Sequence, residues 1–287
     1  MTTPRNHLAP LYKHLTQKLR ESGIEAAEQE ARWMIEHRTG HRWADIVAHP
    51  ESPLSPAQIE SLSADLRQRL AGMPLSRLYG VRAFWGLDFH LSPATLDPRP
   101  ETEILVEQVL KAYGASPPPL FADLGTGTGC IAIALLSEWP QARAILLDRS
   151  LEALQTARRN AILHGVADRI HVVCSDWAGS LAGPLPLIVS NPPYIDRAAL
   201  PNLPPAVQNH DPILALDGGE EGMEAYEKIL SQAKKIIIPG GNIFLETGFD
   251  QAEKIARLVE VSRVGACRIT ADLAGLPRVA QIACGDK

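Results

Sequence analysis

Apolar residues over the first seventy or so positions recur at helical spacing. Leu8, Leu11, Leu15 and Leu19 share one face, and Ser22-Gly23 follows as a stop. Ala27, Ala31, Met34 and Ile35 mark a second helix, and Trp43 to Val47 fits a short third. Ser55-Pro56-Ala57-Gln58 is a capping-box start with proline at the first helical position; Ile59, Leu62, Leu66 and Leu70 form the stripe behind it, and Gly72 and Pro74 end it. The pattern predicts a small helical bundle over residues 1–75 whose stripes are core and carry no chemistry.

The period then changes. Phe84 to Leu91 alternates apolar and polar residues after Gly86, which predicts a hairpin within a linker over residues 76–96. Asp97-Pro98-Arg99-Pro100-Glu101-Thr102-Glu103 opens a helix running through Leu105, Val106, Val109 and Leu110, and Ser116-Pro117-Pro118-Pro119 is a stiff spacer. From Leu120 strands and helices alternate with short loops. Leu120–Leu124, Ala144–Leu147, Ile170–Cys174 and Leu185–Val189 are near-continuous apolar runs, as in a parallel sheet covered on both faces. A helix is expected around Ala225 to Lys234, a strand over Ile243–Glu246 after Pro239-Gly240-Gly241, and two last strands, Cys267–Thr270 and Val279–Cys284, as an antiparallel edge. The fold class is α/β.

Two motifs carry candidate chemistry. Between the first strand and its helix lies Gly125-Thr126-Gly127-Thr128-Gly129, where glycines let the backbone pass close to a ligand at a helix N-terminus. The dinucleotide fingerprint would need a glycine at Cys130, so a nicotinamide cofactor is not indicated. The next strand ends in Asp148, twenty-three residues beyond Gly125, where a carboxylate can accept from two ribose hydroxyls. The third ends in Asp176-Trp177, an acceptor for an adenine amino group beside a ring that can pack on the base. Each of these residues can equally serve as a turn former, helix cap or core side chain. Their succession at consecutive strand ends is what favours a ligand.

The fourth strand runs into Asn191-Pro192-Pro193-Tyr194. Asn191 offers a side-chain carbonyl, Pro192 a backbone carbonyl, and two prolines hold both in a stiff loop that an aromatic ring can cover. Two acceptors and a stacking face suit a planar NH2 group, whose delocalised lone pair makes it a poor nucleophile unless it is held. Asn191, Pro192 and Tyr194 are therefore the candidate catalytic residues.

Composition narrows the partners. A formal charge of −5 argues against a protein living on nucleic-acid phosphates, although a local basic patch is compatible with it. Four separated cysteines without a C-x-x-C pair predict a reduced, cytoplasmic protein without structural zinc. Cys130 and Cys174 are expected inside core elements. His37 and His41 are four apart, but Gly40 is expected to end their helix, which removes a metal reading. No apolar leader follows Met1 to Asn6, and no run approaches membrane-spanning length.

Assembled, the chain resembles the HemK-type release-factor glutamine methyltransferases. The resemblance is carried by the Asp97–Glu103 run, Asp123–Gly129, Asp176-Trp177, Ser190–Tyr194, Pro239–Gly241, Glu246-Thr247-Gly248 and Asp272–Gly275. It implies a Rossmann-like, seven-stranded class I methyltransferase domain over 97–287 and methyl transfer from S-adenosylmethionine, leaving S-adenosylhomocysteine. The expected acceptor is the side-chain nitrogen of the glutamine in the Gly-Gly-Gln motif of class 1 peptide-chain release factors, with the helical domain engaging the factor. By matching position it assigns Gly125, Thr126, Gly127, Thr128, Gly129, Asp148, Trp177 and Asn191 to the cofactor, to which the strand-end reading adds Asp176. Asn191, Pro192, Pro193 and Tyr194 are assigned to the glutamine, with Arg99 and Glu101 as further substrate residues. No metal is implied. A ribosomal-protein glutamine methyltransferase, an adenine-N6 DNA methyltransferase and a non-catalytic cofactor-binding module are the competing readings.

Overall fold

The structure is a computed structural model and describes residues 6–114 and 116–285. The expected lack of an apolar leader therefore lies, apart from Asn6, outside the described residues. Contacts divide the chain into two units, one ending at Tyr79 and one beginning at Gly80.

The first unit is helical: α1 (Leu8–Glu21), α2 (Ala27–Thr39), α3 (Trp43–Ala48), α4 (Pro56–Leu70) and α5 (Leu75–Tyr79). The leucine stripe of α1 is buried together with Ala27, Ala31, Met34, Ile35, Leu62 and Leu66. Ser55 accepts from the Gln58 N–H while the Gln58 side chain accepts from the Ser55 N–H, so α4 starts where its capping box places it. Gly40 closes α2 in the left-handed conformation. His37 stacks on Tyr79 at 3.8 Å and His41 is 4.0 Å from Asp45, so the two histidines serve separate contacts. Leu70 is largely exposed, and α5 continues past Pro74, where the apolar stripe had ended.

The second unit begins with the expected hairpin, β1 (Val81–Phe84) and β2 (Leu87–His90), then α6 (Thr102–Tyr113). Alternation follows through β3 (Leu120–Leu124), α7 (Cys130–Glu138), β4 (Arg143–Asp148), α8 (Leu151–Leu163), β5 (Ile170–Cys174) and β6 (Leu185–Ser190). The remainder is α9 (Pro205–His210), α10 (Glu224–Ile236), β7 (Ile237–Glu246), α11 (Ala252–Ser262), β8 (Ala266–Ala271) and β9 (Pro277–Ala283). The seven-stranded sheet has the order β5-β4-β3-β6-β7-β9-β8, with β9 antiparallel to both neighbours.

Alternating side chains send each apolar strand to both faces. Phe121, Ala144, Leu187, Val189 and Phe244 join α6, α7 and α8 on one side, while Ala122, Leu124, Ile188, Ile243 and Leu245 meet Tyr226, Ile229 and Leu230 of α10 and Ile255 and Val259 of α11 on the other. Two expectations change. Pro239-Gly240-Gly241 does not precede the strand but lies within β7, whose pairing with β6 shifts register between Leu185 and Leu187. β5 is an edge strand, so it needs no cover along its whole length, and Cys174 at its end is exposed rather than core.

The hairpin does more than connect. Phe84 and Phe89 are buried within the second unit's core with their rings 6.1 Å apart. Asn160 of α8 accepts from the His90 N–H at 2.8 Å and donates to the His90 carbonyl at 3.1 Å. Phe89→Ala is expected to cost the second unit about 3–5 kcal/mol, read as a lower urea midpoint. An unchanged midpoint would mean that the hairpin is only a connector.

Candidate functional site

A cavity of about 340 Å³ opens at the C-terminal ends of β3, β4, β5 and β6. Strand order reverses there: β3 is followed outward by β4 and then β5 on one side, and by β6 on the other, and such a switch point leaves a crevice. Gly125, Thr126, Gly127, Thr128, Asp148, Asp176, Trp177, Asn191, Pro193 and Arg99 all line it. Residues from five segments of sequence therefore converge on one space.

The glycine loop is shaped by positive φ angles, 69° at Gly125, 54° at Gly127 and 81° at Gly129. At Gly125 a Cβ would stand 3.1 Å from the Trp177 ring, so this glycine also makes room for the indole. Gly129 does not line the cavity; it caps α7, and a Cβ there would crowd Ile133 and Ala157. Its work is helix packing. Asp148 accepts from the Gly127 N–H at 3.0 Å and the Ser150 N–H at 2.9 Å, so it holds the loop while its carboxylate borders the cavity. Burial pushes its pKa up, against those backbone donors. Trp177 has φ 54° and Asp176 lies 3.9 Å from the Lys228 ammonium.

On the opposite wall, Asn191 donates from Nδ2 to Thr102 Oγ1 at 3.1 Å. With its N–H end turned to the protein, the Asn191 carbonyl oxygen is left to the cavity. Pro192 is buried and Tyr194 half-buried, and neither lines the cavity wall. Tyr194 points its hydroxyl at Glu246 Oε1, 3.5 Å away, and its carbonyl accepts from Gln251 Nε2 at 2.9 Å. The corner is braced from behind by the Asp217–Gly222 segment. A Cβ at Gly218 would fall 2.8 Å from Tyr194 Cα, and one at Gly222 would strike the Tyr194 carbonyl oxygen. Those two glycines are what lets the segment lie against the loop.

Arg99 lines the cavity but is already paired, its Nη2 2.5 Å from Asp211 Oδ2. Glu101 precedes α6 and does not reach the cavity wall; its charge is felt by Glu246 instead. Among the described residues no group of three or more His, Cys, Asp or Glu is placed to hold a metal ion, and no helix is long and apolar enough to cross a membrane.

Four residues of this site were not singled out by sequence reasoning. Thr102 orients Asn191, Asp211 holds Arg99, and Asp123 and Glu246 are buried carboxyls at the ends of β3 and β7. Asp123 Oδ2 accepts from the Thr126 hydroxyl at 2.6 Å, which ties the strand end to the glycine loop. Asp123 left a local signal as the acid at a strand end just before the glycines, whereas Thr102 and Glu246 stood only inside the motifs that carry the resemblance.

Burial raises Asp123 from 3.8 to about 7 and Glu246 from 4.5 to about 7. Between those limits the folded protein binds protons that the unfolded chain has released. Stability from both groups is therefore greatest at the acid end and is lost as pH rises toward 7.

Comparisons with known proteins speak to the family and the fold. Residues 11–80 match the family model described as PrmC N-terminal domain, and residues 92–202 match the one described as Methyltransferase small domain. The release factor glutamine methyltransferase of Bradyrhizobium diazoefficiens is 42% identical over 268 residues, covering 92% of this chain and 90% of that protein. The protein of the same description from Escherichia coli is 41% identical over 232 residues, 80% of this chain and 83% of its own length. A methyltransferase structure from Pyrococcus furiosus shares the fold, with a TM-score of 0.54 at 18% identity over 78% of this chain and all of that one. The titration of the site gives a direct check on its electrostatics. The urea midpoint should fall from pH 5 to pH 8, by about 1–3 kcal/mol in stability, and the fall should be smaller in Asp123→Asn; an equal fall in the variant would remove Asp123 as a source.

Proposed function

The chain belongs to the release factor glutamine methyltransferases, and from that premise we propose that the cavity holds S-adenosylmethionine beside the Asn191 corner, where the glutamine amide is presented. The enzyme is a transferase: it methylates the glutamine side chain of release factors. What carries the assignment of the site is that one cavity is bordered both by the glycine loop with Asp148 and Trp177 and by Asn191. A nucleoside-bearing sulfonium fits that wall. Asp148 offers a carboxylate to ribose hydroxyls, Trp177 an indole face to a base, and Gly125 to Thr128 a close backbone free of bulky side chains. When bound, the cofactor supplies an electrophilic methyl group.

The chain's own residues do the positioning. Asn191 Oδ1 and the Pro192 carbonyl accept the two amide hydrogens, which fixes the plane of the NH2 group and turns the face of its nitrogen toward the donor site. Pro193 lines the cavity at that point and keeps the loop stiff. Tyr194 flanks the amide plane and is itself pinned by Gln251 and Glu246. No strong base is required, because the nitrogen becomes acidic once its lone pair is used and sheds its proton afterwards. Orientation of two reactants is worth about 7–11 kcal/mol, and acceptors that tighten as positive charge develops add about 3 kcal/mol. The helical unit, matching the PrmC N-terminal domain, is assigned to engagement of the release factor. The acceptor glutamine is that of the Gly-Gly-Gln motif in class 1 factors, and the protein acts in the cytoplasm without a metal.

Labelled S-adenosylmethionine should transfer its methyl to a class 1 release factor and not to a variant with alanine in place of the Gly-Gly-Gln glutamine. Equal labelling of both, or label on DNA alone, contradicts the assignment. Asn191→Ala should lower the single-turnover rate by roughly 10²-fold or more while cofactor affinity changes less; near-normal turnover removes Asn191 from the mechanism. Asp148→Ala should do the reverse, weakening cofactor binding by roughly 10-fold or more, measured by titration calorimetry.

A further inference from the structure

The Asn191 corner has little backbone with which to tie itself down. Pro192 and Pro193 carry no N–H, so the loop is held through its carbonyls and through what packs behind it. At its exit the anchor is a side chain 57 residues further along. Gln251, 5% exposed, immediately precedes α11 and donates from Nε2 to the Tyr194 carbonyl at 2.9 Å. The same nitrogen also donates toward the Glu221 and Gly222 carbonyls, each 3.4 Å away. A Cβ at Gly222 would crowd Nε2, so a glycine there lets one amide reach both segments.

The other end of this amide is held as firmly. Oε1 accepts from the Gly248 N–H at 3.1 Å, and the Gln251 N–H donates back to the Gly248 carbonyl at 3.1 Å. The Tyr226 hydroxyl shares its proton between the Glu246 carbonyl at 2.9 Å and Gln251 Oε1 at 3.3 Å. A backbone N–H can only donate and a backbone carbonyl can only accept, so the amide fits one way round. Gln251 therefore joins three pieces of chain: the exit of the corner, the Asp217–Gly222 segment behind it, and the turn between β7 and α11. It does not line the cavity, and its partners lie outside the glycine loop, Asp148 and Trp177, which form the opposite wall.

We propose that Gln251 is a positioning residue for methyl transfer: by holding the Tyr194 carbonyl against the Glu221-Gly222 backbone, it sets how the corner meets the substrate amide. The inference rests on the reading of that corner as the glutamine site. Gln251 touches neither reactant and acts only through the loop it holds. A corner displaced by about 1 Å loses alignment worth up to about 10²-fold in rate. Cofactor binding, carried by the opposite wall, should survive that displacement.

The test uses the full-length enzyme and an intact class 1 release factor, with single-turnover rate at saturating cofactor and cofactor affinity by calorimetry. Gln251→Met keeps the length of the side chain and removes both polar ends. It should lower the rate by about 10–100-fold, with cofactor affinity within about 3-fold of wild type. Gln251→Glu has nearly the same shape but turns a carboxylate on three carbonyls; once protonated, it regains a donor for the Tyr194 carbonyl. Its rate relative to wild type should rise by about 10-fold or more from about pH 8.5 to about pH 5.5, while that of Gln251→Met stays flat. The charged and titratable groups around the position are Tyr194, Tyr226 on α10, Glu246 ending β7, Asp250 next to it, Arg278 on β9 and the Glu221–Lys254 ion pair. Both variants keep all of them, so the difference between the two profiles reports position 251. Added to Asn191→Ala, Gln251→Met should slow the enzyme by less than about 3-fold further, as two changes at one corner do, whereas a general loosening of the fold would multiply the losses. Wild-type rate in Gln251→Met, a loss of cofactor affinity as large as the loss of rate, a Gln251→Glu profile parallel to that of Gln251→Met, or fully multiplied losses in the double variant would each overturn the proposal. Asn191→Ala alone separates the layers: if it is slow while Gln251→Met is fast, only this inference fails, and if it is itself fast, the underlying reading fails.

Discussion

The Ser190 hydroxyl donates to the Leu124 carbonyl at 2.6 Å, both residues fully buried. It joins the last residue of β6 to the last residue of β3, the two neighbours between which strand order reverses. One strand leaves this point as the glycine loop, the other as Asn191-Pro192-Pro193-Tyr194. The proposed site depends on the gap between those two exits being fixed, because the groups assigned to the cofactor and those assigned to the substrate are carried on separate loops. A parallel pair supplies most of that constraint through its ladder, and the side-chain bond extends it to the point where the ladder stops. Thr126 donating to Asp123 and Gly127 donating to Asp148 then carry the same rigidity into the loop itself.

What was legible in the sequence is what neighbouring residues decide among themselves. Strand runs, the capping box at Ser55, the stop at Gly40, the glycine loop and the proline-stiffened Asn191 corner all follow from local propensity and spacing, and the sheet has the seven strands they imply. The misplaced features have non-local causes. Pro239-Gly240-Gly241 reads as a break, yet β6 pairs with Ile237 before it and with Asn242 after it, and β9 joins from Asn242 onward, which carries the strand through. Cys174 reads as core because its run is apolar, but an edge strand has no neighbour beyond it. Arg99, named as a substrate residue, does line the cavity, but its ion-pair partner Asp211, 112 residues away, could not be read locally. Thr102 lies in the Asp97–Glu103 run, but its role had no local signal, since a threonine opening a helix is ordinary until Asn191, 89 residues on, is seen against it.

Buried carboxyls cluster at this end of the sheet in a way that stability alone would not select. Asp123 and Glu246 are both without exposure to speak of, and both carry an oxygen that no donor reaches. Such groups are costly to bury. They are tolerated where an ordered acceptor is worth more than an apolar contact: Asp123 steadies the glycine loop through Thr126, and Glu246 faces the Tyr194 hydroxyl behind the corner. The site therefore trades some stability near neutral pH for loops that do not move relative to one another.

On the proposed reading, the same arrangement favours an amide over its hydrolysis product. A glutamine presents two N–H groups, and the corner presents two oxygens. A glutamate in its place presents two oxygens of its own, charged, against Asn191 Oδ1 and the Pro192 carbonyl, with Glu246 and Glu101 behind them. Arg99, one of the cations on the cavity wall, is already paired with Asp211. Sites built around hydrogen bonds to a substrate N–H reject an analogue that lacks it far more strongly than a hydrophobic pocket rejects a missing methylene, because the buried polar groups are then left unpaired. Here the mismatch would be worse than absence, since acceptor meets acceptor.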